Sequence, residues 1–363
     1  MHIVWRLVAF EFVAAFAAVT ALIYMLDPLA RRFGLMDHPR GRKDHEVSTP
    51  VSGGVAIAIG TILPALVLVS PSLQLISLGI AAVILVVIGV LDDLYDLPWP
   101  VRVDAQIAAA LAIIYVGGVK VENIGAAFGL GHWALGWLSV PFSVAAVVGL
   151  INALNMADGV DGLCGGLSLC ALAMLTAASL YAGNIDLVNG LVVISGAVLA
   201  FLGFNLRTPW RSRAQVFLGN SGSAYLGLII AWAAFRLTQN PLYPVTPVLA
   251  PFLVAPPVID TLALLVRRAM AGHSPFHADR THAHHLMLDG GFTPTGVVVT
   301  LCGLSLVLGL GAALALLADV PDPLFIAAYL ALSAAWLLFS RRQDRAIAFF
   351  RRLRGLFPAA KAD

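Results

Sequence analysis

Apolar runs of bilayer-crossing length recur along the whole of this 363-residue chain, near residues 3–26, 51–70, 74–91, 103–119, 137–155, 165–182, 188–205, 219–236, 248–267, 295–318 and 323–340. A helix needs roughly 20 apolar residues to span hydrocarbon, and a backbone in hydrocarbon has to satisfy its own N–H and C=O groups. Repeated runs of this length therefore predict helices packed side by side, and they leave no stretch long enough for a separate soluble domain. Composition agrees: 60% of residues are hydrophobic and 12% charged, against about a quarter charged in soluble domains. The expected fold is all-α, a polytopic integral membrane protein of about eleven transmembrane helices. Residues 3–26 are too long for a signal-peptide core and lack a persuasive cleavage site, so they read as a retained first helix.

Orientation follows from lysine and arginine, which accumulate on cytoplasmic connections. With the N-terminus outside and the C-terminus in the cytoplasm, nineteen of the 22 basic residues fall inside, leaving only Arg6, Lys120 and Arg236 outside. An error of one helix in the middle of the chain would scramble this bias. Cys164, Cys170 and Cys302 lie in apolar surroundings at no metal-ligand spacing, and their odd number argues against a disulfide framework. Residues 1–340 read as a single transmembrane domain with its chemistry on cytoplasmic loops. Residues 341–363, where arginine pairs alternate with Phe349, Phe350, Leu353 and Phe357, read as a basic amphipathic tail.

Polar residues at the ends of membrane helices are costly, so those that occur there point to function. The run from Asn152 to Leu163 places Asn152, Asn155 and Asp158 on one helical face, with Gly159 and Gly162 breaking the helix around Asp161. Capping alone would need one such residue. At the end of the third run, Asp92, Asp93 and Asp96 cluster before Pro98. Carboxylates so close repel, and they persist most easily with a divalent cation or with one acid protonated, which suggests metal or general-base work.

Three further loops on the same side carry polar groups. The first contains Gly41-Arg42-Lys43-Asp44-His45 and, at the next helix start, Gly53-Gly54, which suit either phosphate or close helix packing. Phe217-Leu218-Gly219-Asn220-Ser221-Gly222-Ser223 opens the eighth run, fit for binding an anion or for an ordinary cap. The longest, Ser274 to His285, holds four of the nine histidines together with Arg280. No Cys or Glu joins them at zinc spacing, and the arginine favours phosphate.

Taken in order, Gly-Arg-Lys-x-His, Leu-Asp-Asp-x-x-Asp, Asn-x-x-Asn-x-x-Asp-Gly-x-Asp-Gly-Leu, Phe-Leu-Gly-x-Ser-Gly-Ser and His-x-Asp-Arg-x-His-x-His-His resemble the polyprenyl-phosphate N-acetylhexosamine-1-phosphate transferases. Within them the chain is most similar to bacterial UDP-GlcNAc:undecaprenyl-phosphate GlcNAc-1-phosphate transferases. The resemblance implies transfer of a sugar 1-phosphate from a UDP-N-acetylhexosamine to undecaprenyl phosphate, with Mg2+ or Mn2+, at the cytoplasmic side of a bacterial inner membrane. It implies Asp92, Asp93 and Asp96 as catalytic acids. It further implies Asn152, Asn155 and Asp161 at the nucleotide, Phe217 stacked on uracil, and Lys43, His45, Arg280, His282, His284 and His285 at the phosphates, with Asp158 as a metal ligand. Surrounding membrane lipid is a partner, nucleic acid is not expected, and a homodimer stays open.

One position departs from the pattern. The family usually has Asp where this chain has Asn220, so the metal site expected there loses a charge. A secondary transporter is the rival class, because it too interrupts membrane helices with polar residues. A transporter's ionisable groups would lie near the bilayer midplane, whereas here they fall at helix ends. A weakly active relative is a third reading, carried by Asn220.

Overall fold

A computed structural model describes residues 2–37, 48–68, 70–129, 131–272, 274 and 280–355. Lys43 and His45 lie outside the described residues. The chain is almost wholly helical, as the apolar runs require: α1 (His2–Phe33), α2 (Gly53–Leu68), α3 (Leu73–Tyr95), α4 (Trp99–Tyr115), α5 (Ser139–Ala157), α6 (Leu163–Tyr181), α7 (Ile185–Asn205) and α8 (Gly219–Thr238). These are followed by α9 (Ala250–Leu253), α10 (Ala255–Met270), α11 (Ala283–Asp289), α12 (Pro294–Leu317), α13 (Asp322–Ser340) and α14 (Gln343–Gly355). Two residues at each side of the first helix connection, Met36–Asp37 and Thr49–Pro50, pair as a short antiparallel ribbon.

All eleven expected runs are helical, but not all have the length and apolarity of a solitary membrane span. Among the described residues seven helices do, or eight if α9 and α10 count as one span. The remainder differ for physical reasons. Helix α8 is the centre of the bundle, packed on α2, α3, α5 and α6, and nearly every residue from Ser221 to Thr238 is buried. It meets protein rather than lipid, so it can carry Gly, Ser and Ala, which let neighbouring backbones approach. Gly54 and Gly222 touch so closely that a Cβ at Gly54 would overlap the Gly222 backbone. The Gly53 and Gly54 amides donate to Phe217 O and Leu218 O at 3.0 and 2.9 Å, so packing, not phosphate, takes these groups.

The run read as one span over residues 248–267 is broken. Segments Pro247–Leu253 and Ala255–Met270 meet at 86°. Pro256 and Pro257 follow the break; without N–H groups they cannot bond to Phe252 O and Leu253 O, and their rings crowd those carbonyls, so α9 cannot run on through Val254 into α10. The tail also differs from a free interfacial helix. Ala346 and Phe350 of α14 are buried, and α14 packs on α11, with Phe350 against Gly290, while Phe349 stays 49% exposed.

Candidate active site

Residues far apart in sequence meet at one end of the bundle, where α3 and α5 finish and α6 and α8 begin. Helix α3 stops at Tyr95, and Asp96 adopts a left-handed backbone, φ 52°, with its amide bonded to Asp92 O. Pro98 disfavours helix at Leu97, so the chain turns away there and leaves Asp96 exposed, off the face that carries Asp92. Asp92 is buried, 4% exposed, and its carboxylate accepts from Arg102 Nη1 at 3.2 Å and from the Leu97 amide at 2.9 Å. Asp93 turns to α8. It accepts from the Asn220 amide at 3.1 Å and from Asn220 Nδ2 at 2.9 Å, and the Ser221 amide also donates to it. The anion that the free amides of the α8 N-terminus hold is therefore the chain's own Asp93.

Asn220 continues the chain of contacts. Its Oδ1 accepts from Asn155 Nδ2 at 2.7 Å, and Asn155 also reaches Ser223 Oγ at 3.0 Å. An acceptor-only carboxylate on one side and a donor amide on the other fix which way the Asn220 amide faces. One turn earlier Asn152 Nδ2 donates to Gln106 Oε1 at 2.6 Å. Helix α5 ends at Ala157 and Asp158 is its C-cap residue. Burial, with the charges of Asp93 and Asp161, pushes the Asp158 carboxyl well above its usual range. Among the described residues its side chain takes no hydrogen bond or ion pair. Asp161, in contrast, accepts from Arg207 Nε at 2.7 Å and the Ala214 amide at 3.2 Å, which ties the turn to the α7–α8 connection. Phe217 is half-buried on that same connection.

The histidines flank this turn. His282 and His284 are buried and their rings stack 5.5 Å apart, while His285 lies 4.2 Å from His284. Nε2 of His284 abuts Gly159, next to Asp158, where a Cβ would come within 2.6 Å of it. Burial, then the charges of His285, His282 and Arg280, hold the His284 imidazole well below its usual range, so it is neutral at physiological pH. Arg280 is exposed and 3.8 Å from Asp289. Asp92, Arg102, Gln106, Asn152, Asn155 and Asn220 line a cavity of about 250 Å³ whose other walls are apolar.

Residues 75–238 match glycosyl transferase family 4. The undecaprenyl-phosphate alpha-N-acetylglucosaminyl 1-phosphate transferase of Escherichia coli strain K12 is 33% identical over 287 residues, 79% of this chain and 78% of that protein. The chain belongs to glycosyl transferase family 4. Proteins of the same name from Haemophilus influenzae, 34% identical over 286 residues, and Yersinia pestis, 32% over 284, also align across 78% of this chain and 79% and 77% of their own. The family is one of phosphoglycosyltransferases, and this member is a multi-pass membrane enzyme.

A divalent cation fits this family member's residues in a particular way. Among the described residues no three His, Cys, Asp or Glu side chains gather as for a metal. Mg2+ is usually held by one or two carboxylates together with substrate phosphates and water. Asp158, crowded by two carboxylates, and Asp93 beside it have the chemistry for that. Asn220 does not add charge, and its carbonyl already receives Asn155.

Arg102, Gln106, Arg207 and Asp260 are contributions that motif reading missed. Each is a lone polar residue whose partner lies many residues away. Asp260 and Gln106 did carry a signal, since an isolated polar group within an apolar membrane run is a functional hypothesis by itself.

Proposed function

We propose that the protein transfers N-acetylhexosamine-1-phosphate, in the first instance GlcNAc-1-phosphate, from a UDP-sugar to undecaprenyl phosphate, releasing UMP. We place the reaction at the cytoplasmic face of a bacterial inner membrane, as the first step of a cell-surface polysaccharide pathway. The observation that carries this reading is the meeting of Asp93, Asn155, Asp158 and Asn220 at one membrane edge beside the histidine helix, in a family whose relatives bear that activity in their names.

The lipid phosphate must displace UMP from the sugar-linked phosphorus, so two anions have to approach in line. Mg2+ or Mn2+, held by Asp158 and Asp93 with the diphosphate, would neutralise part of that charge. Asp92 or Asp93 activates the lipid phosphate, and Arg102, whose guanidinium already meets Asp92, keeps positive charge at the same cavity. Asn155 and Asp161 hold the nucleotide end, with Phe217 at the uracil. Arg280 and the histidines contact the diphosphate, with Arg280 supplying charge that does not depend on pH.

Purified protein with labelled UDP-GlcNAc and undecaprenyl phosphate tests the reading, with UDP-GalNAc and 6-deoxy donors run beside it. Labelled lipid and UMP are expected. Absence of lipid product from every donor, with activity appearing only in Asn220→Asp, would instead support the reading of a weakly active relative, which Asn220 favours.

A further inference from the structure

Asp260 lies in the second turn of α10 and is buried. Its carboxylate joins three elements. Oδ2 is 2.8 Å from His282 Nδ1, and Oδ1 accepts from the Ala283 amide at 3.1 Å and from Trp336 Nε1 at 3.0 Å. The amide and the indole can only donate, so Oδ1 is an acceptor by necessity. An ionised carboxylate is an acceptor at Oδ2 as well, and the shared proton therefore sits on His282 Nδ1. Nε2 is left as the ring's other polar atom. The ring stacks on His284, whose own Nε2 abuts Gly159 beside Asp158, and both histidines line a small cavity with Asp260 and Thr261.

We propose that Asp260 is a positioning residue for the transfer reaction: it fixes the ring plane and the Nδ1–H tautomer of His282, so that Nε2 is the ring atom presented to the diphosphate. This rests on the transferase reading above. A carboxylate behind an imidazole does this generally, orienting the ring and choosing which nitrogen carries the proton.

Asparagine is the discriminating substitution. Asp260→Asn has one accepting and one donating group. The Ala283 and Trp336 donors demand the oxygen, so the amide NH2 faces His282, and Nδ1 must become an acceptor with the proton moved to Nε2. The bonds that tie α10 to α11 and α13 survive while the imidazole is inverted.

Wild type, Asp260→Asn, His282→Ala and the double variant, prepared with 15N-histidine, carry the test. Nitrogen shifts, with His282 assigned by its loss in His282→Ala, should show Nδ1 protonated in the wild type and Nε2 protonated in Asp260→Asn. Turnover of Asp260→Asn should fall about tenfold or more with the melting temperature and the UDP-GlcNAc KM little changed. Adding Asp260→Asn to His282→Ala should cost nothing further, because one residue acts through the other. The proposal is overturned by an unchanged tautomer in Asp260→Asn, by full turnover with the tautomer inverted, or by losses that multiply in the double variant. A wild type inert toward every UDP-N-acetylhexosamine would overturn the transferase reading and with it a role in transfer, whereas the tautomer shifts separately support or refute the Asp260–His282 pairing.

Discussion

Asn220 shows how one side chain changes the physics of a site. An aspartate there would face Asp93 with like charge, a pair that persists most easily around a cation; the amide instead donates to Asp93 and receives from Asn155, so the edge of the bundle holds together without one. Asn220→Asp should therefore lower the Mg2+ concentration for half-maximal turnover, read by a metal titration, and an unchanged midpoint would remove Asn220 from the metal site. Two titrations pull stability in opposite directions. His284, held below the usual imidazole range, stays neutral in the fold while the unfolded chain takes up a proton as pH falls through about 6.5. Its contribution is present above that pH and lost on acidification, so His284→Gln should flatten the decline of melting temperature between about pH 7 and 5. Asp158 is held above the usual carboxyl range, so the metal-free fold loses stability as pH rises above that range, and acidification back toward it restores what was lost. Asp158→Asn should raise the metal-free melting temperature by a few degrees and abolish turnover, a trade of stability against function that calorimetry and the lipid assay read together. The motif residues were legible because they cluster within a few positions. Gln106 and Asp260 showed only as isolated polar groups in apolar runs, because the bonds that give them meaning span 46 and 22 residues.

At the scale of elements, periodicity placed the helices well and their junctions less well. Every apolar run became a helix, since a backbone in hydrocarbon has few other options. Hydropathy alone could not show the break at Val254, because apolar residues continue across it; Pro256 and Pro257 were the sign. Nor did it show the partner of the tail. Amphipathicity marks a face that needs covering, and α14 covers part of its face with α11, the helix that carries His284 and His285, rather than with lipid headgroups alone. Phe350→Ala should thus destabilise the protein by about 3–5 kcal/mol, as loss of a buried aromatic does, whereas Phe349→Ala, at a half-exposed site, should cost far less. Unfolding in detergent measures the difference. Equal effects of the two substitutions would mean that the tail does not brace the histidine helix.

The whole molecule joins the charge bias to the site. Alternating helices put the C-termini of α3, α5 and α7, the N-termini of α6 and α8, and α11 at one end, and that end carries Asp92, Asp93, Asn155, Asp158, Asp161, Asn220 and the histidines. The same end holds the connections where lysine and arginine concentrate, so the positive-inside rule predicts that it faces the cytoplasm. A donor nucleotide made in the cytoplasm would meet the site directly, and the lipid phosphate would meet it at the membrane edge. Length and apolarity alone support only seven or eight spans, because α2 is short, α4 carries Arg102 and Asp104, and α8 is shielded by its neighbours. Eleven crossings therefore require these helices to cross as members of the bundle, and this has a direct check. Trp210, 92% exposed in the α7–α8 connection, and Leu242, 87% exposed beyond α8, lie at opposite ends of that helix. In a background where Cys164, Cys170 and Cys302 are replaced, an impermeant maleimide should label Leu242→Cys in intact cells and Trp210→Cys only after the membrane is opened. Labelling of both from outside would show that α8 does not cross. The reverse order would invert the molecule and put the acidic cluster and the histidines on the outer face, out of reach of cytoplasmic nucleotide sugars.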